Sequence, residues 1–531
     1  MTPDRSTFRL PALVVLSALI LPLAFWRLGA TDIVSMEGIV VDGARHMDAT
    51  GDYAVPRLHG ELYTYKPPMA YWLALASTRL FGESEAAVRL PFAAGAALMA
   101  LVIFHLVARR FDPWTGMVSG VASMGGVLML QKLRLAEFDM PLAAGVGIAA
   151  AFAASQLSTE SPKVWHWQVA YLALLVAFLT KGIPSLMFFA PGLFAAAFAT
   201  GRWKRLFMPA HLAGFLTFCL GVAGWAWAAW SAEGAAAFAQ PLAEADAKGL
   251  TWDVQSLGAT LMKPLVLLGI FFPWTLAVIA AKPWISSAGE ERDPEQRDLL
   301  RAAAAFVVAG LATFMAVPAT ETRYLLPLAG PVGMLFGILA MGESRAFAQT
   351  ARGVTWFLGG LLTLAGGLGF AGVVDAAPGQ ATVALAVGAL FLVGNVLLGR
   401  RALPIPQAAA TLLVVTLGLG LLQFLWIDPH RAASRSLRSV AADFSSHLDP
   451  AEALWIGRVS AEYRHSSLEF YLQRPFKSFY PGETPPDGAA VILISDEEPW
   501  KSGEPDFPYC TVAQRDQRSY TFALIRVGAC P

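Results

Sequence analysis

Long apolar segments run through most of this 531-residue chain, and they constrain its fold more than any other feature. About thirteen of them approach the ~20 residues that a helix needs to cross a bilayer. Charged residues make up 15% of the chain, against about 25% in soluble proteins. The sequence therefore predicts an α-helical polytopic membrane protein. The segments 113–131 and 258–281 are two of its predicted membrane-spanning helices.

Charge and cysteine content narrow the class of protein further. The net charge is zero, so nothing favours nucleic acid, and partners are expected near or within the bilayer. Of three cysteines, Cys219 lies in an apolar run and is expected to be a small core residue. Cys510 and Cys530 lie in the polar tail and could form a disulfide bond if the tail is extracytoplasmic. The sequence leaves both outcomes, paired and unpaired, open. No Cys/His cluster with metal-site spacing is present.

The distribution of basic residues predicts the topology. The first apolar run is interpreted as a retained span rather than a signal peptide. With the N-terminus inside, every predicted cytoplasmic loop carries lysine or arginine, as the positive-inside rule requires. The loop 30–87 then lies outside, and an odd number of spans places the tail outside as well. We expect a transmembrane domain at 1–428 and an extracytoplasmic domain at 429–531.

The sequence also predicts secondary structure in the C-terminal tail and in the first loop. The tail contains short apolar runs, WIGRV, LEFYL, AVILIS and TFALIRV, between turn residues, which predicts a small α/β domain with these runs as strands. In the first loop, apolar residues at helical spacing predict an interfacial helix over 34–48. A second short helix is expected after Pro67 and Pro68, because proline is tolerated in a first helical turn.

Two acidic residues near span ends are candidates for general-base chemistry. Glu37 follows the first span and could take a proton from an acceptor hydroxyl or orient a sugar hydroxyl; the alternative is a solvated charge on an interfacial helix. Asp139 stands at the mouth of a span, which makes it a functional candidate, and it could also cap the helix that follows.

Basic residues are expected at the same membrane face. Lys66 precedes two prolines, Lys181 follows a long apolar run, and Arg323 with Tyr324 opens another span. Cations there suit an anionic lipid headgroup such as a phosphate, while the alternative for Lys181 is a lysine whose charged end reaches the interface. No nucleotide-binding motif is found in a credible context. A group donor at this face should therefore be pre-activated and carried by a lipid.

The stretch 36–72 resembles the first outer loop of bacterial lipid-linked-sugar glycosyltransferases related to aminoarabinose transferases and protein O-mannosyltransferases. The shared letters are Glu37, Gly38, Ala44, Arg45, Met47, Gly51, Asp52, Pro56, Arg57, Leu58, Gly60, Tyr63, Lys66, Pro67, Pro68, Tyr71 and Trp72. Weaker matches follow in the expected order at 81–91, 179–195, 271–276, 323–331 and 466–475.

The resemblance implies a C-type glycosyltransferase fold whose interfacial helices roof an outer cavity, and a polyprenyl-phosphate sugar donor. Transfer would go, with inversion, to an envelope acceptor (lipid A, a glycan, a lipid or a protein) at the outer face of the bacterial inner membrane. Glu37 and Asp139 are the expected catalytic residues. The expected substrate-binding residues are Arg57, Tyr63, Lys66, Lys181, Arg323 and Tyr324.

Three positions depart from the family pattern. Met36 replaces the first carboxylate of an Asp-Glu pair, and Ile39 replaces a basic residue. Tyr65 replaces an acid that is a ligand in metal-binding relatives, so no metal ligand is assigned; a divalent metal stays open, with Tyr65 as the argument against it. The base is therefore Glu37 or Asp139, unless the activity differs from that of close relatives or has been lost.

Two other classes of function make different predictions for the sequence. A transporter or flippase of a lipid-linked substrate predicts ionisable residues in mid-span and inverted repeats. Here such residues cluster at span ends, and no repeat is visible. A membrane scaffold whose outer tail binds a partner leaves the charged motif of the first loop without a role.

Overall fold

The computed structural model describes residues 9–240, 254–280, 293–318, 321–342, 344–373, 377–399, 403–449, 452–457, 466–479, 483–495, 507–517 and 520–528. The chain divides into two compact units. The span unit comprises 1–26, 92–226 and 246–428. The loop–tail unit comprises 27–91, 227–245 and 429–531, so it contains the whole first loop, 30–87, together with the tail. The separate domains predicted at 1–428 and 429–531 stay a prediction.

Apolar helices make up most of the span unit. They are α1 (Arg9–Phe25), α4 (Glu85–Ala108), α5 (Pro113–Met124), α6 (Val127–Lys132), α7 (Asp139–Ser158), α8 (Val164–Lys181), α9 (Ile183–Ala199), α10 (Pro209–Glu233), α11 (Val254–Ile270), α12 (Pro294–Met315), α13 (Ala329–Ala340), α14 (Arg345–Phe370), α15 (Pro378–Leu398) and α16 (Gln407–Leu422). Short 3₁₀ helices occur at Trp203–Phe207, Trp274–Ala280 and Thr322–Leu328, and a π-helical turn at Gln423–Ile427.

Among the described residues, nine helices are long and apolar enough to cross a membrane, or ten if one bent pair counts as a single span. The bent pair, Leu257–Ile270 and Trp274–Ala280, turns by 98° within the segment predicted as one span at 258–281. Pro273 lies at this break and has no N–H to continue a helix. The prediction of a polytopic helical membrane protein is confirmed, while the number thirteen stays a prediction.

The predicted single span at 113–131 is wrong, because α5 and α6 are separate short helices that meet at Gly125 and Gly126. Both glycines pack too closely for a side chain. A Cβ on Gly125 would lie 2.6 Å from Trp274 Nε1, and one on Gly126 would lie 2.8 Å from the Ile270 carbonyl oxygen. Paired glycines are a known site of helix breaks.

Helix α7 is buried along its entire length, which follows from its small residues. A Cβ on Gly145 would lie 2.6 Å from the Ala173 carbonyl oxygen of α8, and Gly147 packs against Gly330. Small residues let helix backbones approach closely in a membrane, where van der Waals packing drives association. This packing fixes the position of Asp139, the first residue of α7.

The loop–tail unit contains the start of α4, up to Pro91, the end of α10, from Trp227, and the remaining elements. The remaining elements are α2 (Met36–Thr50), β1 (Arg57–Leu58), β2 (Glu61–Leu62), α3 (Met69–Phe81), α17 (Asp428–Arg435), α18 (Arg438–Ser445), β3 (Leu454–Gly457), α19 (Ser466–Leu472), β4 (Phe476–Phe479), β5 (Ala490–Ser495), β6 (Tyr509–Gln517) and β7 (Tyr520–Val527). The tail strands form one mixed sheet in the order β4-β3-β5-β7-β6, with β3 parallel to β4 and β5.

The predicted strand over LEFYL is wrong, because this run lies in helix α19. Leu468 and Leu472 are four residues apart, so a helix turns both into the tail core beside Phe444 and Leu524. A short apolar run fits a buried strand or a buried helix equally well. The α/β character of the tail is confirmed.

Both predicted helices of the first loop are present, as α2 and α3. Helix α2 ends at Gly51, whose φ of 72° provides a left-handed C-cap. Their interfacial position stays a prediction. The disulfide considered between Cys510 and Cys530 involves a residue, Cys530, that lies outside the described ranges. Cys219 is a free thiol.

Gly38→Ala is expected to destabilise the protein. A Cβ at Gly38 of α2 would lie 2.7 Å from the Ser466 carbonyl carbon and closer still to the backbone nitrogen of Ser467, so α19 would have to move. Overpacking costs about 1–3 kcal/mol, which exceeds the ~1 kcal/mol gained from the better helix propensity of alanine. Thermal unfolding in detergent measures the change. The control is Gly224→Ala, a helical glycine with no atom within 4 Å. Equal melting temperatures for the two variants would contradict the close packing.

Candidate functional site

Glu37 lies in the first turn of α2 and is fully buried. Its Oε1 accepts a hydrogen bond of 2.7 Å from Arg89 Nε, and its Oε2 accepts one of 2.8 Å from Arg89 Nη2. The backbone N–H of Val34 also donates to Oε2, at 3.3 Å. Arg89 on α4 is 2% exposed, so the two charges form a buried bidentate pair.

Arg89 also fastens the segment that precedes α2. Its Nη1 donates to the carbonyl oxygens of Leu28 and Thr31, at 3.1 and 2.7 Å, and its Nη2 donates to that of Asp32, at 2.8 Å. Both carboxylate oxygens of Glu37 are therefore engaged, and the pair ties three backbone carbonyls to one guanidinium. This geometry favours a structural role for Glu37, and its predicted role as the base stays untested.

Asp139, the second candidate base, lies in a cluster of charged residues in the span unit. Lys181 ends α8, and its Nζ donates to Asp139 Oδ1 at 2.5 Å. Arg323, in the 3₁₀ helix Thr322–Leu328, places its Nε 4.0 Å from Asp139 Oδ2 and 3.5 Å from Glu321 Oε2. The ammonium of Lys181 lies 4.8 Å from the ring centre of Tyr324, a cation–π distance. We call Asp139, Lys181, Arg323 and Tyr324 the span-end cluster.

The span-end cluster combines two buried charged side chains with one that is partly exposed. The side chains of Asp139 and Lys181 are 5% and 11% exposed, whereas that of Arg323 is 31% exposed. Two cations face the Asp139 carboxylate, and the more exposed carboxylate of Glu321 also pairs with Arg323. Lysine carries three N–H donors and arginine five, so both can hold Asp139 and a phosphate at once. The neighbouring residues Lys132 and Glu137 form an ion pair with each other.

The other predicted site residues lie in the loop–tail unit. Arg57 pairs with Glu233 and donates from Nη1 to the Gly60 carbonyl oxygen at 3.2 Å. Tyr63 is buried, with its ring centre 5.3 Å from that of Tyr65. Lys66 is partly buried in the bend before Pro67. The structure thus brings four of the eight predicted residues together in the span-end cluster, and the other four belong to the loop–tail unit.

The loop–tail unit also contains a buried cluster that the sequence reasoning missed: Asp42, His59 and Glu469. His59 Nδ1 lies 2.7 Å from Glu469 Oε2 and 3.2 Å from Asp42 Oδ2. His59 and Gly60 have φ values of 51° and 84°, as a two-residue turn with the handedness of a tight hairpin requires. This turn joins β1 to β2, and the imidazole stacks on Phe476 of β4 with ring centres 5.5 Å apart. We call these three residues the buried triad.

Burial dominates the electrostatics of the buried triad. It raises the pKa of Asp42 well above its ordinary value, and the nearby Glu469 raises it further, while His59 acts in the opposite direction. The sequence gives only a weak signal for this cluster. Asp42 lies among buried apolar positions of α2, but His59 and Glu469 are 410 residues apart. Only the packing of the folded unit pairs them.

Comparisons with known proteins give a consistent result. Residues 65–227 match the family of dolichyl-phosphate-mannose-protein mannosyltransferases. The chain is 31% identical over 199 residues to undecaprenyl phosphate-alpha-4-amino-4-deoxy-L-arabinose arabinosyl transferase 2 of Sodalis glossinidius, covering 36% of this chain and 35% of that relative. It is 27% identical over 365 residues to the arabinosyl transferase of Shewanella sediminis, covering 66% of this chain and 63% of the relative.

A likeness to one solved structure extends over nearly the whole chain. The crystal structure of ArnT from Cupriavidus metallidurans bound to undecaprenyl phosphate superposes with a TM-score of 0.78 at 20% identity. The match covers 98% of this chain and 99% of that one, which establishes the fold. The resemblance inferred from the first loop is therefore confirmed: this chain is a multi-pass membrane protein related to the aminoarabinose transferases and the dolichyl-phosphate-mannose-protein mannosyltransferases, with the fold of the former.

Proposed function

We propose that the protein is a glycosyltransferase that moves a sugar from a polyprenyl-phosphate donor to an acceptor of the bacterial envelope. The observation that carries this proposal is the span-end cluster, in which Asp139 meets Lys181 and Arg323 at the ends of apolar helices. The phosphate of a membrane lipid lies at the edge of the hydrocarbon core, where the ends of membrane-spanning helices are expected. The relatives' names support this, because they describe arabinosyl transferases acting on an undecaprenyl-phosphate-linked sugar.

The chemistry assigned to the span-end cluster is a single displacement. The acceptor oxygen attacks C1 of the sugar, the bond from C1 to the phosphate oxygen breaks, and the configuration at C1 inverts. Asp139 takes the proton of the acceptor hydroxyl. Lys181 and Arg323 stabilise the negative charge that develops on the leaving polyprenyl phosphate. Lys181 has enough donors to hold Asp139 and the phosphate together.

Asp139 is preferred over Glu37 as the base on the basis of their contacts. Both oxygens of Glu37 accept hydrogen bonds from Arg89 in a fully buried setting, which makes Glu37 a positioning residue of the first loop. Asp139 lies beside the partly exposed Arg323, where a substrate can enter. The missing first carboxylate at Met36 leaves Asp139 without a competitor from that position.

The substrate and the orientation complete the proposal. A pentose is the first candidate for the transferred sugar, since the named relatives are arabinosyl transferases. The acceptor is a lipid, glycan or protein of the envelope. The distribution of basic residues supports an orientation in which the tail, the first loop and the span-end cluster face the outside of the inner membrane.

Removing either cation of the cluster is expected to weaken binding of the lipid phosphate. Lys181→Gln and Arg323→Gln each delete a charged hydrogen-bond donor worth about 1.5–3 kcal/mol, or roughly a 10- to 100-fold loss in affinity. Native mass spectrometry of the purified protein with undecaprenyl phosphate measures this, with neutral undecaprenol as the ligand control. The matched control variant is Lys204→Gln, in the separate 3₁₀ helix Trp203–Phe207. Equal retention of undecaprenyl phosphate by wild type and Lys181→Gln would contradict the assignment.

A further inference from the structure

We propose that Asp42, His59 and Glu469 bind a first-row divalent transition metal ion, with Zn²⁺ as the leading candidate. This inference goes beyond the proposed glycosyl transfer and does not depend on it. The three side chains offer one imidazole nitrogen and two carboxylate oxygens that all lie within 4.8 Å of one another. Imidazole and carboxylate together suit Zn²⁺ and its neighbours, whereas Mg²⁺ and Ca²⁺ prefer oxygen alone.

The distances fit one face of a tetrahedral site. Ligands about 2.0–2.2 Å from Zn²⁺ stand about 3.3 Å apart in tetrahedral geometry. His59 Nδ1 is already 3.2 Å from Asp42 Oδ2, and it is 2.7 Å from Glu469 Oε2. Two of the three distances between ligand atoms are therefore within about 0.6 Å of the tetrahedral value, and the third, between the two carboxylates, is at most 4.8 Å. The ion would then lie among three side chains that already face one another.

The burial and the residue types of this cluster suit a bound cation. The side chains of Asp42, His59 and Glu469 are 2%, 3% and 5% exposed. Two carboxyl groups and one imidazole are buried together, and buried groups of this kind are normally hydrogen-bonded to one another or bound to metal. Asp42 Oδ2 accepts no hydrogen bond from the part of the chain that the structure describes. A metal ion would bind to this oxygen through a lone pair that accepts no hydrogen bond.

Arg45, which contacts the backbone of Glu469, does not replace the metal. Arg45 directs its Nη1 to the backbone carbonyl oxygen of Glu469, at 2.9 Å, and its Nε and Nη2 to the carboxylate of Glu83. Its charge is therefore committed to Glu83 and to main-chain oxygens. Arg45 does fix the backbone of α19 beside α2, so the Glu469 side chain is presented from a rigid helix.

The ligands come from three separate segments of the loop–tail unit. Asp42 lies on α2, His59 in the β1–β2 turn and Glu469 on α19, so one ion would fasten both parts of the first loop to the tail. Since such a site does not exist in the unfolded chain, metal binding would stabilise the folded unit. The hairpin and α19 should loosen when the ion is removed.

The test uses the full chain, purified in detergent with an affinity tag that contains no histidine. Elemental analysis and calorimetric titration with Zn²⁺ after chelation are expected to show one ion per chain. Chelation should lower the melting temperature, and added Zn²⁺ should restore it. Asp42→Asn and His59→Ala should each reduce Zn²⁺ affinity at least 10-fold. The controls are His46→Ala and Asp48→Asn, on the same helix but outside the triad, and they should bind as wild type does.

X-ray absorption at the zinc edge of the wild-type protein provides a measurement that needs no variant. One imidazole and oxygen neighbours at about 2.0–2.2 Å, with no sulfur, are expected. Absence of stoichiometric Zn²⁺ binding in the wild type would overturn the proposal and leave the triad as a hydrogen-bonded network. Binding that survives both Asp42→Asn and His59→Ala unchanged would also overturn it, because the ion would then lie elsewhere.

Discussion

Asp139→Asn is expected to lower the rate of sugar transfer by at least about 100-fold, because a general base contributes roughly 10²- to 10⁴-fold to such reactions. Asparagine keeps the shape of the side chain, and its carbonyl oxygen can still accept the hydrogen bond that Lys181 donates to Asp139. The loss should therefore fall on kcat, while the KM for the lipid donor changes little. Initial rates with a labelled polyprenyl-phosphate sugar measure both constants.

The control for this variant is Glu137→Gln, which removes a carboxylate two residues away that pairs with Lys132 instead of Lys181. It should keep most of the wild-type rate. If Asp139→Asn retained full activity while Glu37→Gln, correctly folded, lost it, the base would be Glu37 and the assignment made here would be wrong. Binding of undecaprenyl phosphate by Asp139→Asn confirms that the variant still forms its donor site.

Arg89→Ala is expected to cause the largest loss of stability of any single substitution considered. It leaves the Glu37 carboxylate buried without the guanidinium and frees the carbonyl oxygens of Leu28, Thr31 and Asp32. Removing one partner of a buried ion pair costs about 3–5 kcal/mol. Thermal or denaturant unfolding in detergent, monitored by tryptophan fluorescence, should show the change.

Two further variants test whether the loss of stability comes from the unpaired buried charge. Arg79→Ala removes an arginine that is half exposed and pairs with Asp48 at the surface, so its effect should be small. The double variant Glu37→Met/Arg89→Met removes both charges and should be more stable than Arg89→Ala, because no unpaired charge stays buried. A double variant no more stable than Arg89→Ala would show that the ion pair is not the source of the loss.

The parts of the fold that were predicted correctly are those with a local signal. Helices α2 and α3 follow from apolar spacing and from Pro67 and Pro68, and most apolar segments form helices as expected. The errors arose where packing overrides local pattern. Gly125 and Gly126 break a segment that hydropathy alone makes continuous, and LEFYL is helical because that places Leu468 and Leu472 in one core.

The candidate sites also combine features with a local sequence signal and features that depend on long-range packing. Asp139, Lys181 and Arg323 were each identified as charged residues at span ends, but only the packing of α7 and α8 places Lys181 on Asp139. The burial of Glu37 depends on Arg89, which lies 52 residues away. No local pattern indicates such a contact.

The buried triad lay beyond prediction for the same reason. Its members come from a helix, a hairpin turn and a second helix near the other end of the chain. Long-range contacts between polar residues leave no periodic signal, because periodicity reports only which face of an element is buried.

The most direct test of the central claim follows the fate of the donor in proteoliposomes that contain the purified protein. The donor is the pool of polyprenyl-phosphate sugars from a deletion strain, labelled in the sugar, and the acceptor is envelope material from that strain. The account predicts that label moves onto the acceptor while free polyprenyl phosphate appears in equal amount, and that Asp139→Asn blocks both. Movement of the intact labelled donor across the bilayer, with no cleavage between sugar and phosphate, would contradict the account and identify a flippase.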